Sequence, residues 1–145
     1  MEIRQGREND FAQAMELVAA FAEESLHEYG VHLEIDQLQK TFDEVYFSSF
    51  VAVEDGKVVG VLAGHLIPDR CSDELTYEEV VWYMSKEHRK YGIKLFNYVQ
   101  QWCVVHGIQR ISMSCMHNSK TEKLFALYEK MGFKPMETRF IKVLD

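Results

Sequence analysis

The sequence predicts an α/β (α+β) chain: a mixed, mostly antiparallel twisted sheet of about six or seven strands, with about four helices on both faces. Three observations carry this expectation. Apolar residues recur at helical spacing in four separate stretches, and β-rich runs lie between them. Three adjoining strands are followed by a strand–helix–strand order, so an antiparallel meander leads into a crossover connection. At 145 residues the chain is read as one domain spanning 1–145, large enough for a real core.

The elements follow in order. Glu2–Gln5 is a short first strand. Asp10-Phe11-Ala12-Gln13 has the form of a capping box, whose end side chains satisfy free amides at a helix start. Phe11, Met15, Val18 and Phe21/Ala22 then keep helical spacing to about Ser25. Leu26–Gly30 breaks the pattern, and Ile35–Val45 is a second helix with Leu38 and Phe42 inward. Phe50–Glu54 and Val58–Leu66 are strands joined by Asp55-Gly56, a hairpin signal because Gly tolerates positive φ. Pro68–Glu74 is a polar turn, and Leu75–Met84 is a strand rich in Val, Tyr and Trp. Leu95, Val99 and Trp102/Cys103 mark a helix from about Tyr91 to His106, with Gly107 placed to cap it. Ile108–Met116 is a strand. Ser119-Lys120-Thr121-Glu122 is a second capping box, opening a helix with Leu124, Phe125, Tyr128 and Met131 inward and Gly132 as its stop. Phe133–Glu137 and Arg139–Leu144 close the chain as strands, giving the order β-α-α-β-β-β-α-β-α-β-β.

Composition narrows the function classes. The apolar share of 47% and charged share of 27% suit a soluble globular protein. No secretory signal follows Met1, and no apolar run approaches the roughly 18 residues of a membrane span. Cys71, Cys103 and Cys115 fit neither a disulfide framework nor a zinc site, so a reduced, cytoplasmic compartment and no metal are expected. The net charge is −7, and residues 1–50 carry eleven acids against Arg4, Arg7 and Lys40. That imbalance reads either as a solvated helix face or as the border of a site for a cationic molecule. An acidic whole argues against nucleic acid as the main partner.

The segment richest in chemistry runs from Tyr83 to Leu95. A strand enters a short turn bearing Lys86, Arg89, Lys90 and Lys94, then a helix. Free amides and a partial positive charge at a helix start can hold a phosphate or pyrophosphate. Gly92 allows close backbone approach, and Arg89 can add a charge-assisted contact.

Arg89-Lys90-Tyr91-Gly92-Ile93-Lys94 resembles the acetyl-CoA-binding motif Gln/Arg-x-x-Gly-x-Gly/Ala of the GNAT superfamily of N-acetyltransferases. Asn118, followed by a helix with Tyr128 and ending Glu129-Lys130-Met131-Gly132-Phe133, is similar to that family's second signature, and the element order agrees over nearly the whole chain. One departure stands out: Lys94 replaces the last small residue and must point away or use its ammonium on a CoA phosphate.

The resemblance implies acetyl-CoA as co-substrate. Its pantothenate arm would pair with the backbone of Trp82, Tyr83 and Met84, and the turn Arg89–Lys94, including Ile93, would take the pyrophosphate. The amides of Lys90, Tyr91, Gly92 and Lys94 would face that group, and an amide near Met84 would polarise the thioester carbonyl. Asn118 would bond the cofactor arm, and Tyr128 would protonate the leaving thiolate. A base must deprotonate the acceptor amine; Glu78 is the first candidate, and Glu79 faces the other way unless a bulge intervenes. Water, His65 and His117 remain open as alternatives. Cys115 could suggest an acyl-cysteine, but the family's usual route is direct transfer.

The acceptor is expected to be a primary amine on a small molecule or protein. The acidic residues Glu23, Glu24, Glu28, Glu34 and Asp36 mildly favour a cationic one. A homodimer through the last strands is what the family often shows. The alternative is a non-catalytic relative that binds CoA or a protein partner, raised by Lys94; a nucleic-acid-directed acetyltransferase is disfavoured by charge.

Overall fold

The computed structural model describes residues 1–118 and 120–144. Five strands form one sheet in the order β1-β2-β3-β4-β5: Glu2–Gln5, Ser49–Glu54, Lys57–Pro68, Leu75–Met84 and Arg110–Ser112. The first four are antiparallel neighbours, and β5 runs parallel to β4. Helices α1 (Phe11–Ser25), α2 (Ile35–Val45), α3 (Gly92–Val105) and α4 (Thr121–Lys130) complete the mixed α/β fold that the sequence predicts.

The β2–β3 turn forms because Asp55 and Gly56 both adopt positive φ, 52° and 77°, which matches the twist of the flanking strands. Alternation along the strands then builds two cores. Val51, Val61, Ala63, Val81 and Tyr83 pack with Leu17 of α1, while Phe50, Leu62, Tyr77 and Met84 pack with Leu95, Phe96 and Val99 of α3. Tyr77 and Val81 share odd numbering yet lie on opposite faces. The cause is a bulge: Gly64 pairs with Glu79 and Ala63 with Val81, so Val80 is an extra residue. Gly64 is required at this point, since a Cβ there would lie 2.5 Å from the Tyr77 ring. Tyr77 is fully buried, and its hydroxyl donates to the Ser48 carbonyl at 2.6 Å.

Three local expectations are corrected, and a fourth lies outside the described residues. Asp10 and Gln13 do not close a capping box: Asp10 is already in helical conformation after a 3-10 turn at Glu8–Asp10, and the Gln13 side chain accepts the Val58 N–H of β3 at 2.8 Å. The strand expected over Ile108–Met116 is only Arg110–Ser112, because the chain leaves β4 after three paired residues. No strand forms over 133–144, so the sheet has five strands rather than six or seven. A β-prone run becomes a strand only beside an edge; here Val143 lies against Gly30 in the α1–α2 loop, and Met136, Phe140 and Leu144 are exposed. The second capping box begins at Ser119, outside the described residues; the described partner at that helix start is Asn118, whose Oδ1 accepts the Lys120 N–H at 2.8 Å.

Asp10 instead anchors the first strand. Arg4 donates to both its carboxylate oxygens at 2.8 and 2.9 Å, and the Arg7 N–H adds a third bond at 2.8 Å. The Arg4 bonds outweigh the opposing effect of burial and hold the Asp10 carboxyl below its ordinary value. A depressed folded-state pKa contributes stability that is present above the unfolded value and lost as pH falls through the folded one. Asp10→Asn should therefore cost about 2 kcal/mol at neutral pH. Urea midpoints should show the two proteins converging as the pH falls through the depressed folded-state value.

Candidate active site

The site begins where the sheet opens. Thr76, Tyr77 and Glu78 of β4 pair with Arg110, Ile111 and Ser112 of β5, and there the parallel ladder stops. From Glu79 to Met84, β4 has no strand on that side among the described residues. Ser114, two residues past the last pair, has its backbone satisfied by side chains instead. Its N–H donates to Glu79 Oε1 at 3.2 Å, and its carbonyl accepts the Tyr128 hydroxyl at 2.8 Å. Glu79 and Tyr128 thus hold the departing chain away from β4 and leave an open notch.

Both clamping side chains are buried, Glu79 with 8% of its surface exposed. Burial pushes the Glu79 carboxyl up to about 7, against the lowering effect of the Ser114 amide and with a small addition from Glu78. Burial likewise pushes the Tyr128 hydroxyl well above its ordinary value. The Tyr128 ring stacks on Trp82 with centroids 6.2 Å apart and meets Phe133 at 5.4 Å.

At the end of β4, Lys86–Tyr91 forms a 3-10 turn that leads directly into α3. His88 ties this turn to the sheet, with Nδ1 2.7 Å from Ser85 Oγ and Nε2 2.5 Å from Glu54. Arg89 lies over the Tyr83 ring at 5.5 Å, and its Nε approaches the Met84 carbonyl at 3.4 Å. Its terminal nitrogen is 3.4 Å from each carboxylate oxygen of Glu24, at the end of α1. Tyr83 donates its hydroxyl to the same carboxylate at 2.9 Å, and Lys120 lies 3.6 Å from it. Burial raises the Glu24 carboxyl, but the Tyr83 bond and the charges of Lys120, Arg89 and Lys86 together bring it below its ordinary value.

Further contacts join the end of α1 and the 3-10 turn after it to the chain before α4. Tyr29 donates to the His117 carbonyl at 2.9 Å, and Asn118 Nδ2 is 3.5 Å from Ser25 Oγ. An open cleft of about 530 Å³ lies beside them, lined by His117, Asn118, Thr121 and Glu122.

The structure brings most of the sequence-predicted residues to this notch. Trp82 and Met84 belong to the α3 core and Tyr83 to the α1 core, so the β4 backbone between them runs along the opening. Gly92 is buried against Trp82 and Met84, where a Cβ would make ordinary contacts at 3.6–3.9 Å. Its N–H bonds the Arg89 carbonyl, so in this conformation that amide is not free for an anion. Lys90 lies 5.1 Å from the Tyr91 ring, while Ile93 and Lys94 are exposed on the first turn of α3. The Asn118 side chain is engaged in starting α4. Glu78 is exposed on the α1 side, paired across strands with His65, whereas Glu79 faces the α3 side. His117 is exposed; Cys115 has its thiol pushed up by burial, which keeps it protonated and a poor nucleophile.

Sequence reasoning did not find the Glu24–Tyr83–Arg89–Lys120 cluster. Glu24 was visible only as one member of an acidic run, and Tyr83 and Arg89 lie 59 and 65 residues away along the chain, with Lys120 further still. Among the described residues no group of three or more His, Cys, Asp and Glu side chains could hold a metal ion. No helix there is long and apolar enough to cross a membrane.

The residues fit an extended anionic thioester. The free β4 edge can pair with an amide-bearing arm, as an added strand would, and cations from the turn meet it at one end. The raised Glu79 carboxyl also makes a prediction about stability. Its folded-state pKa exceeds the ordinary 4.5, so the folded state binds more protons between 4.5 and about 7, and stability falls as pH rises through that window. Glu79→Gln, which keeps an acceptor for Ser114, should be more stable than the parent by roughly 1–3 kcal/mol at pH near 8 and lose that advantage near pH 5, read by urea denaturation.

Comparison with known proteins agrees with this geometry. Residues 11–133 match the Acetyltransferase (GNAT) family. No curated protein sequence matches the chain. Among solved structures, an aminoglycoside acetyltransferase from an uncultured soil metagenomic sample aligns with a TM-score of 0.75 at 19% identity, covering 99% of this chain and 98% of that one. A ribosomal-protein-alanine N-acetyltransferase from Brucella melitensis aligns with a TM-score of 0.78 at 14% identity, covering 99% and 98%. A possible acetyltransferase from Clostridium difficile aligns with a TM-score of 0.75 at 21% identity, covering 99% and 97%. With its family match and the β4–β5 notch in agreement, the chain belongs to the GNAT acetyltransferase family.

Proposed function

We propose that this chain transfers an acetyl group from acetyl-CoA to a primary amine, and that the acceptor is a cationic small molecule. The observation that carries the reading is the notch: a free β4 edge from Glu79 to Met84 ending at a turn with Lys86, Arg89 and Lys90. When bound there, acetyl-CoA supplies an activated acyl carbonyl. The backbone of Trp82–Met84 aligns the arm, an amide near Met84 polarises the carbonyl, and Arg89, Lys90 and the start of α3 neutralise the phosphates. Lys94 is exposed and leaves the Gly92 contact with Met84 and Trp82 unobstructed.

The acceptor's ammonium must lose a proton whose ordinary pKa is about 10. Glu78 takes it, directly or through water, since its carboxylate is open on the α1 side beside His65. Glu79 is buried and committed to Ser114, so it shapes the notch. Tyr128 turns its hydroxyl from the Ser114 carbonyl and gives its proton to the departing sulfur. Direct attack leaves Cys115 without a part. Exposed Glu23 and Glu28 flank Glu24 at the end of α1, which favours a positively charged acceptor. The aminoglycoside acetyltransferases among the structural neighbours support the same class. Exposed Met136, Phe140 and Leu144 support assembly with a second copy.

The direct test is free-thiol release from acetyl-CoA across a panel of polyamines, aminoglycosides, amino acids and peptides with free N-termini. Turnover with cationic amines is the expected result. Saturable CoA binding with no thiol release for any amine would favour the non-catalytic alternative. Glu78→Gln should lower kcat/KM by about 10²-fold at neutral pH, with the loss shrinking as the pH approaches that of the free amine. Tyr128→Phe should lower kcat by about 10²-fold, and, because the Tyr128 hydroxyl also holds Ser114, CoA affinity should weaken as well, though by less than kcat.

A further inference from the structure

The cationic turn at the end of β4 already holds an anion of the protein's own. Arg89 and Lys120 come from different elements, yet both point at Glu24, and Tyr83 fixes that carboxylate by donating its hydroxyl. Any phosphate recruited to Arg89 must compete with Glu24. Conversely, once Arg89 engages a phosphate, Glu24 keeps its Tyr83 bond and Lys120 at 3.6 Å but loses Arg89 at 3.4 Å. A carboxylate 34% exposed that has given up one of its two cations has an oxygen open to an incoming ammonium group.

We infer that Glu24 is a specificity-determining residue that exchanges Arg89 for the acceptor's ammonium, so that CoA occupancy and cationic-acceptor binding favour each other. The inference rests on the CoA-binding reading above and adds to it a coupling between the two sites. Thermodynamic linkage makes the coupling reciprocal. Removing the Glu24 charge should tighten CoA binding, because the internal competitor is gone, and should abolish the gain in amine affinity that CoA produces. Simple electrostatic repulsion cannot mimic this pattern if an equal charge change elsewhere on α1 has no such effect. Glu16, exposed on α1 two turns earlier, provides that comparison.

The test is calorimetric titration of free CoA, and of spermidine with and without saturating CoA, into the parent protein, Glu24→Gln and Glu16→Gln. Thermal melts establish that all three are folded. Expected are a CoA Kd about three- to tenfold lower for Glu24→Gln than for the parent, and no such change for Glu16→Gln. Spermidine should bind the parent more tightly when CoA is present, and Glu24→Gln should lose that increase. Unchanged CoA affinity in Glu24→Gln overturns the inference and leaves the proposed function standing. So does a CoA-dependent spermidine gain that survives in the variant or is missing from the parent. A parent protein that does not bind CoA overturns the proposed function and the inference together.

Discussion

The fold turns on how the backbone of Ser114 is satisfied. A parallel ladder between β4 and β5 would ordinarily continue by pairing each N–H and carbonyl with the neighbouring strand. After Glu78 and Ser112 it stops, and the Glu79 carboxylate and the Tyr128 hydroxyl take over at Ser114. Ser114 is itself exposed, but the buried Glu79 carboxylate and Tyr128 hydroxyl would each cost about 1–3 kcal/mol if left without a partner, so their bonds to Ser114 stabilise the point at which the strands separate. The separation leaves the Glu79–Met84 edge of β4 open beyond the three residues that β5 covers.

That arrangement places a burden on Glu79. Its carboxyl is held inside the α3 face, next to Tyr128, and titrates near neutrality because burial disfavours the charged form. The bulge at Val80 sits directly beside it. With the extra residue, Tyr77 and Glu79 face α3 while Val81 and Tyr83 face α1. Elements from opposite faces can then touch: Lys120, just before α4, reaches Glu24 of α1, and Tyr29 reaches His117. The site is a consequence of one irregularity in β4 and one early exit of β5.

Much of this was legible in the sequence because it is local. Helical spacing located all four helices, Asp55-Gly56 located the hairpin, and the glycine at 107 sits at positive φ after α3 as its position suggested. Arg89-Lys90-Tyr91-Gly92 was recognisable as a short pattern, and it lies at the strand–helix junction where it was expected. The failures are those of non-local pairing. The 133–144 segment has strand-like composition, but composition does not supply an edge. Ile108–Met116 reads as one strand, yet its second half is held by Glu79 and Tyr128. Asp10 and Gln13 look like caps, but Arg4 and the Val58 amide offered them partners that no local window contains. Glu24 and Arg89 are 65 residues apart, and only the folded chain brings their charges together.

The central claim is that the open edge of β4 and the turn beyond it form one binding surface for acetyl-CoA. Hydrogen–deuterium exchange with and without saturating CoA tests it most directly, because exposed edge amides exchange quickly and hydrogen-bonded ones do not. Slowed exchange is expected only in peptides covering residues 79–84 and 89–95, with the β1–β2 region unchanged. Unaltered exchange in those two segments under conditions where CoA binds elsewhere, or no CoA binding at all, would contradict it.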